Sequence, residues 1–345
     1  MKLAARLALA LASVAAVWLA GEAWILPATT GLPRAAALLG FTAEPGAVDD
    51  VAISAMGFAG DTIEQRKPPG TVRVLTLGGS VLFNRRMTAR LKGALAPLVP
   101  GDARLELVGA ALRGHTTWAS RHKWRHLAPY GFDVVLVYHG INDLFADHVA
   151  EADFRDDYGH LGAWYVRGPL LDRSLAARIV FNRWLYRKPP VVHGAGPDRS
   201  APVFERNLEA LVEEIRAAGA TPVLAAFAWA IPPDYRHDRF LAGELGYDNP
   251  ERYDPVPVDL WGPVPWVREG LVRRNVAIHR IAAARDVALL DTQRHMAGDP
   301  AWFGDVCHFS ERGTDRFVAF VAERFAHEGW LGARSGGSTA RRSGD

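Results

Sequence analysis

Short apolar runs alternate with segments of helical periodicity through most of the chain. Five runs have the length, the β-branched or aliphatic content and the flanking turn residues of buried strands. These predicted strands lie near residues 72–77, 105–108, 133–138, 221–228 and 287–291. Apolar positions at helical spacing predict the intervening helices, near residues 80–98, 118–127, 204–218, 267–285 and 311–328. Strands that alternate with helices predict an α/β fold around a five-stranded parallel sheet.

The predicted domain covers residues 71–331, with two interruptions of this alternation. Residues 144–200 and 229–266 are too long for plain connections, so we expect insertions there, the first helical or lid-like. Residues 28–70 lack a strong periodicity and are interpreted as a membrane-proximal linker plus a piece that packs on the domain. The Ser-, Gly- and Arg-rich residues 332–345 are expected to form a disordered tail.

The amino-terminal segment has the pattern of a membrane-targeting sequence. Lys2 and Arg6 precede a nearly continuous apolar stretch from Leu7 to Gly21. Residues 1–27 therefore predict a signal anchor, a single membrane helix, or a cleaved signal peptide, and the poor cleavage site favours the anchor. Because basic residues stay in the cytoplasm, the prediction is a cell-membrane protein with its catalytic domain in the periplasm or outside, secreted if the segment is cleaved.

Composition narrows the possible partners. The net charge is +2 over 345 residues and no basic face is apparent, so no nucleic-acid partner is expected. One cysteine, Cys307, excludes an internal disulfide framework and a cysteine-rich zinc site. None of the twelve histidines lies in an H-E-x-x-H pattern, and no phosphate-loop motif is present. We therefore expect neither a metal nor a cofactor.

Polar residues suited to one reaction follow the predicted strands. Ser80 comes after Gly78-Gly79 at the end of the first strand, where a serine is either a helix cap or a nucleophile. A serine hydroxyl needs a base, and His308 has a suitable pKa. Asp305, three residues earlier, could bind the far ring nitrogen and fix the tautomer of His308. The alternative for this pair is a surface loop that enters the last helix.

Two further residues could stabilise an oxyanion beside Ser80. Gly114 offers an unhindered backbone N–H, and Asn142 offers a side-chain amide, although Asn142 could also be a turn residue. Together with the Ser80 N–H they could converge on the carbonyl oxygen of an ester under attack. We expect the neighbouring Asp143 to support the loop structurally, and His115 and His139 to lie behind the reacting groups or to contact substrate.

These motifs, in this order, resemble those of the SGNH hydrolases, the GDSL-type esterases. The matching blocks are Gly78-Gly79-Ser80, Gly114, Gly140-Ile141-Asn142-Asp143 and Asp305-Val306-Cys307-His308, and the similarity spans roughly residues 72–328. The resemblance implies a flavodoxin-like three-layer αβα fold. It also implies that Ser80 is the nucleophile, His308 the base and Asp305 its orienting acid, with Ser80, Gly114 and Asn142 forming the oxyanion hole.

The sequence departs from the family pattern at two glycines. Gly79 stands where the family usually has an aspartate, and Gly109 stands where it often has an asparagine. The aspartate is not part of the catalytic set, so the first departure is not expected to abolish activity. The second removes a side chain that could brace the loop of Gly114.

The predicted function is hydrolysis of carboxylic O-acyl esters through an acyl-serine intermediate. The substrate would be a small-molecule or glycan ester, and the sequence leaves the oligomeric state open. Two alternatives remain at this point. One is an envelope O-acyltransferase that uses the same triad, and the other is a non-catalytic, membrane-tethered binding module with the same fold.

Overall fold

A mixed sheet of eight strands forms the centre of the computed structural model, which describes residues 39–48, 51–193, 196–248 and 256–332, and Ser13 and Ala16 of the preceding segment. The strands are β1 (Gly46–Val48), β2 (Val51–Ile53), β3 (Ala59–Gly60), β4 (Thr71–Gly78), β5 (Arg104–Gly109), β6 (Val134–Tyr138), β7 (Thr221–Ala225) and β8 (Ala288–Leu290). Their order across the sheet is β1-β2-β3-β5-β4-β6-β7-β8. The pairs β5-β4, β4-β6, β6-β7 and β7-β8 are parallel. The pairs β1-β2, β2-β3 and β3-β5 are antiparallel.

Nine α-helices connect or flank these strands in the described residues. They are α1 (Ser80–Phe83), α2 (Met87–Leu95), α3 (Thr117–Leu127), α4 (Leu175–Val180), α5 (Ser200–Ala217), α6 (His237–Leu241), α7 (Val264–Ala284), α8 (Thr292–Met296) and α9 (Glu311–Glu328). A π-helical turn, Phe181–Leu185, continues α4. Short 3-10 turns occupy Ala96–Leu98, Ala128–Tyr130, Ile141–Asp147, Glu151–Asp153, Ala163–Tyr165, Val258–Leu260 and Pro300–Trp302.

Helices cover both faces of the sheet because successive strand residues point to opposite sides. On one face, Val74 and Leu136 pack in the same core as Leu91 of α2 and Val321 of α9. On the other face, the alternate strand residues pack against the apolar sides of α3, α5 and α7; members of this second core include Leu75, Val135, Leu127, Leu208 and Ile278. The architecture is the predicted three-layer α/β arrangement.

The prediction of a sheet with only five strands was wrong. The five predicted strands form the parallel part, but β1, β2 and β3 extend the sheet beyond β5. These three strands are two or three residues long, so they carry no apolar alternation that a sequence pattern could reveal. They lie within residues 28–70. The piece of this segment that was expected to pack on the domain is therefore part of the sheet itself.

The predicted amino-terminal helix and the predicted tail lie outside the described residues. In the described part of the chain, none of the helices combines the length and the apolar character that a bilayer crossing requires. Residues 144–200 and 229–266, which are predicted insertions, contain α4, α6 and several 3-10 turns.

The strand order creates a crevice between β4 and β6. The chain passes from β4 to β5 on one side and then crosses back to β6 on the other side of β4. Open α/β sheets bind ligands at such a switch point, outside the carboxyl ends of the strands. Gly78 at the end of β4 pairs with Tyr138 at the end of β6, which brings the loops of Ser80 and Asn142 together.

Candidate active site

Three predicted residues form a continuous chain of side-chain contacts. Ser80 Oγ lies 2.7 Å from His308 Nε2, although the two residues are 228 positions apart in the sequence. His308 Nδ1 lies 2.7 Å from Asp305 Oδ2. Because Asp305 accepts the Nδ1 hydrogen, Nε2 keeps its lone pair for the hydroxyl of Ser80. The arrangement can remove a proton from the serine.

The loop of Asp305 and His308 is braced by the carboxylate itself. Asp305 Oδ1 accepts the backbone N–H groups of Cys307 and His308, each at 2.9 Å, and Oδ2 also accepts the N–H of Val256 at 3.1 Å. The side chain of Ser310 caps α9 by accepting the N–H of Gly313. The base therefore stands on a short, internally hydrogen-bonded turn that leads directly into α9.

Opposing effects determine the charge state of this pair. Burial by itself would raise the pKa of Asp305, but attraction to His308 and the hydrogen bonds hold the pKa below its ordinary value. Burial by itself would lower the pKa of His308, but the Asp305 carboxylate beside it raises that pKa well above 6.5. The site thus favours the imidazolium that forms when His308 takes a proton from Ser80.

Cys307 lies between Asp305 and His308 in the sequence and next to the imidazole in the structure. The side chain is fully buried and belongs to the core, as a packing role requires. Its Sγ nevertheless lies 3.7 Å from His308 Nδ1. Burial raises the pKa of the Cys307 thiol, so it remains a neutral neighbour of the imidazole.

The turn that carries Asp305, Cys307 and His308 also brings together three potential metal ligands. In the described residues, this is the one group whose three potential ligand atoms lie within 4.8 Å of one another. Asp305 and His308 are already engaged with each other and with Ser80 through the contacts above. The donor set therefore fits an acid–base pair better than a cation, and the absence of a metal stays a prediction.

The side-chain amide of Asn142 lies in the crevice with Ser80. A small cleft is lined by Gly79, Ser80, Val81, Tyr138, His139, Gly140, Ile141, Asn142 and Phe227. One amide hydrogen of Asn142 is donated to the backbone carbonyl of His115 at 3.0 Å. An amide nitrogen carries two hydrogens, so the second is available to an oxygen atom in the cleft.

Gly114 does not line this cleft. It is exposed on the loop between β5 and α3, with a φ of +70° that suits glycine, and a Cβ at this position would meet open space. The structure therefore brings together Ser80, Asn142, Asp305 and His308, and it leaves Gly114 at the rim of the site.

Asp143 fixes the loop on which Asn142 stands. The carboxylate is fully buried and accepts the hydroxyl and the backbone N–H of Thr117, at 2.6 and 3.1 Å. It also accepts the hydroxyl of Tyr158 at 3.1 Å. These bonds tie the loop after β6 to the first turn of α3, which agrees with the structural role expected for Asp143.

Close packing explains both departures from the family pattern. A Cβ on Gly79 would overlap the amide nitrogen of Asn142, so the absent side chain leaves room for that amide. A Cβ on Gly109 would overlap the hydroxyl of Thr88, which is buried in α2. At each position a neighbouring side chain occupies the space that the absent side chain would fill.

Sequence reasoning missed a buried lysine behind the site. Lys123 is fully buried in α3 and donates to the carbonyl of Ala110 at 2.5 Å. Its Nζ also lies 3.0 Å from Nδ1 of His115, whose backbone carbonyl holds Asn142. Burial lowers the pKa of Lys123 to about 7. In the sequence, the sign of this buried lysine was its position on the apolar side of a predicted helix.

His139 lies next to this lysine in the buried layer. Its Nε2 is 2.8 Å from the hydroxyl of Ser120, and the residue is almost fully buried. Burial, reinforced by the charge of Lys123, lowers the pKa of His139 to about 3, so the ring is neutral. His139 also lines the cleft beside Ser80, and His115 supports Asn142 through its backbone carbonyl.

Comparison with known proteins identifies the family. The family model of GDSL-like lipases and acylhydrolases matches residues 74–316 of this chain. That range covers well over half of the chain and includes Ser80, Asn142, Asp305 and His308. No curated protein sequence matches the chain.

Solved structures with a similar fold have low sequence identity. A lipase/acylhydrolase from Enterococcus faecalis is 14% identical, with a TM-score of 0.44 and coverage of 74% of this chain and 96% of that one. An acetylxylan esterase from Geobacillus stearothermophilus is 15% identical, with a TM-score of 0.44 and coverage of 76% and 97%. A GDSL-like lipase from Bacteroides thetaiotaomicron is 11% identical, with a TM-score of 0.41 and coverage of 74% and 88%.

The family match confirms the resemblance predicted from the four motifs. The chain belongs to the GDSL-like lipase/acylhydrolase family, and it is an ester-hydrolysing enzyme.

Proposed function

We propose that this GDSL-like lipase/acylhydrolase cleaves carboxylic O-acyl esters through an acyl-serine intermediate, with Ser80 as the nucleophile. The observation that carries the proposal is the pair of 2.7 Å contacts from Ser80 to His308 and from His308 to Asp305. A serine activated by an oriented imidazole is the arrangement that acyl transfer requires.

In the first half of the reaction, Ser80 Oγ attacks the ester carbonyl carbon while its proton passes to His308 Nε2. The carbonyl oxygen becomes an oxyanion, which accepts hydrogen bonds from the Ser80 N–H and the free amide hydrogen of Asn142. Collapse of this intermediate expels the alcohol, which takes the proton from His308. Asp305 keeps the imidazole oriented and stabilises its positive charge throughout.

In the second half, water takes the place of the alcohol. His308 removes a proton from the water as it attacks the acyl-serine, and the same donors stabilise the second oxyanion. The carboxylic acid leaves and Ser80 regains its proton. Each half needs His308 to be neutral at its start and charged in its middle, a change that the Asp305 carboxylate favours.

The proposed setting is the outer face of the cell membrane. Support comes from the basic and then apolar pattern of residues 1–27, which would anchor the chain with its hydrolase domain in the periplasm or outside, or secrete it after cleavage. The proposed substrates are small-molecule or glycan esters.

The test is hydrolysis of p-nitrophenyl acetate by the full chain, compared with Ser80→Ala and with Ser54→Ala. Ser54 lies in the turn between β2 and β3, where its hydroxyl accepts the N–H of Met56, and it serves as a control for serine loss. We expect turnover in the wild type and Ser54→Ala, and its loss in Ser80→Ala. A fluorophosphonate probe should label the first two proteins and not the third.

Other outcomes would point to the alternatives. A burst of one equivalent of p-nitrophenol without turnover would indicate an acyltransferase that lacks its acceptor. Folded protein with neither burst nor probe labelling would overturn the serine mechanism and favour a binding module. Equal turnover in Ser80→Ala and the wild type would exclude Ser80 as the nucleophile.

A further inference from the structure

Exposed apolar side chains cluster in the insertion of residues 144–200. Trp184 and Leu185 are 61% and 66% exposed, and Ile179, Val191 and Val192 are also exposed. We call these five residues the apolar patch. Single exposed apolar residues are ordinary on a protein surface, but several in one short stretch indicate a surface that contacts a partner or a membrane.

The orientation of the patch is fixed by buried contacts on the inner side of α4. Leu175, Ala177 and Arg178 of that helix are buried. Arg178 donates to the carbonyl of Val166 at 2.7 Å and pairs with Asp172 at 3.1 Å. Because this side faces inward, Ile179 and the following turn with Trp184 face outward.

Positive charge surrounds the patch. Residues 173–197 contain five arginines and lysines and no aspartate or glutamate. Three of the five, Arg183, Arg187 and Lys188, are exposed beside Trp184 and Leu185. Apolar side chains interspersed with cations are the pattern of segments that lie in the interface of an anionic bilayer.

The chain also enters the described domain beside this insertion. Arg167 donates to the carbonyl of Leu39 at 3.1 Å, and Phe41 packs edge-on against Tyr165 with ring centroids 5.3 Å apart. The apolar sequence of residues 7–26 precedes Leu39 by a segment that spans at most about 40 Å when extended. If residues 7–26 are in a membrane, the insertion is within reach of its surface.

We propose that the apolar patch, together with Arg183, Arg187 and Lys188, docks on the surface of an anionic lipid bilayer. Trp184 and Leu185 would lie at the boundary between headgroups and acyl chains, where tryptophan is favoured. The three cations would contact lipid phosphates. This surface goes beyond ester hydrolysis and does not depend on it.

The single buried cysteine makes a clean fluorescence test possible. Because Cys307 is fully buried, Leu185→Cys adds the one accessible thiol for an environment-sensitive nitrobenzoxadiazole label. Val276→Cys is the matched control. Val276 is 61% exposed on α7, where its neighbours Arg273 and Arg280 are paired with Glu269 and Glu205. The labelled full chains are placed in lipid nanodiscs that contain phosphatidylglycerol and doxyl-labelled phosphatidylcholine.

We expect a blue-shifted label at Leu185→Cys that the doxyl lipid quenches, and an unquenched, water-exposed label at Val276→Cys. Quenching should weaken in discs made of phosphatidylcholine alone. Equal and negligible quenching at the two positions would overturn the proposal. A blue shift at Leu185→Cys that needs no lipid and grows with protein concentration would also overturn it, because a second copy of the chain would then cover the patch.

A charge variant tests the role of the cations separately. In the Leu185→Cys background, Arg183→Gln, Arg187→Gln and Lys188→Gln together should weaken the lipid contact by about fivefold per removed charge. Unchanged quenching in this variant would contradict the electrostatic part of the proposal. Hydrolysis of p-nitrophenyl acetate should be the same in all these proteins, so a failure of catalysis and a failure of docking are distinguishable.

Discussion

The amide of Asn142 occupies the space beside Ser80 that a side chain at Gly79 would fill. A Cβ at position 79 would overlap Asn142 Nδ2, and this amide is also held by the carbonyl of His115. The glycine before the nucleophile is therefore part of the packing that holds Asn142, and restoring the aspartate usual in the family would displace the amide.

Gly79→Asp should lower the kcat for p-nitrophenyl acetate although it restores the family pattern. Loss of one oxyanion donor costs roughly 10²–10³ in rate. The control is Gly93→Ala, because a Cβ at that position of α2 meets open space and suits a helix. Steady-state kinetics of both variants measure the change in kcat. Full activity in Gly79→Asp would show that Asn142 does not need its present position.

The acid limb of the kcat/KM profile should lie above pH 6.5. His308 acts as a base only when neutral, and the buried Asp305 beside it raises its pKa well above 6.5. Activity should therefore rise as the pH rises through this raised pKa. A limb at or below pH 6.5 in the wild type would contradict the assignment of His308 as the base.

Asp305→Asn should move this limb to lower pH and reduce the maximal rate. Without the carboxylate the pKa of His308 falls and its tautomer is no longer fixed, which costs on the order of 10³–10⁴ in kcat. Asp299→Asn, in an exposed cap six residues earlier, is the control and should leave both features unchanged. The measurement is a pH–rate profile of the two variants beside the wild type.

Asp143→Ala should destabilise the fold strongly. It leaves the N–H and hydroxyl of Thr117 and the hydroxyl of Tyr158 without their acceptor inside the protein. We expect the free energy of unfolding to fall by roughly 3 kcal/mol or more.

Asp291→Ala provides the comparison for Asp143→Ala. Asp291 caps α8 at the surface through the N–H of Arg294, so its loss should cost about 1 kcal/mol. Urea unfolding of the two variants measures both values. A loss no larger for Asp143→Ala than for Asp291→Ala would show that the loop after β6 does not depend on this carboxylate.

Lys123→Met should alter how stability depends on pH. Burial lowers the pKa of Lys123 to about 7, below its ordinary 10.5, so the unfolded chain binds more protons between these values. In the wild type this group therefore makes folding more favourable as the pH rises from 7 towards 10, and the variant lacks that contribution.

The stability of the wild type relative to Lys123→Met should thus increase between pH 7 and pH 9.5. Urea unfolding at both values measures it, with Lys188→Met as an exposed control that should not change the trend. A difference between wild type and Lys123→Met that stays constant over this range would mean that Lys123 titrates alike in the folded and unfolded chains.

Local patterns were enough to predict the parallel part of the fold and most of the site. The strands before Ser80 and Asn142 are rich in β-branched and aliphatic residues, and the turn from Asp305 to His308 lies within four consecutive residues. Each of these features can be recognised without knowing where the rest of the chain lies.

Features that depend on contacts between distant segments could not be predicted in this way. The overlap of Gly79 with Asn142 and the bond from Lys123 to His115 exist only in the folded chain. The strands β1 to β3 are too short to carry a period, and the insertions have no regular pattern that would fix the direction of Trp184. Long-range packing decided these points.

The short strands beside β5 also limit aggregation between copies of the molecule. Without β3, the outer side of β5 would be unpaired at its carboxyl end, where Ala59 and Gly60 now pair with Gly109 and Val108. A bare strand edge is a template on which another chain can add itself as a further strand. In the described sheet the outermost strands are β1 and β8, of three residues each, which offer little backbone for such growth into fibrils.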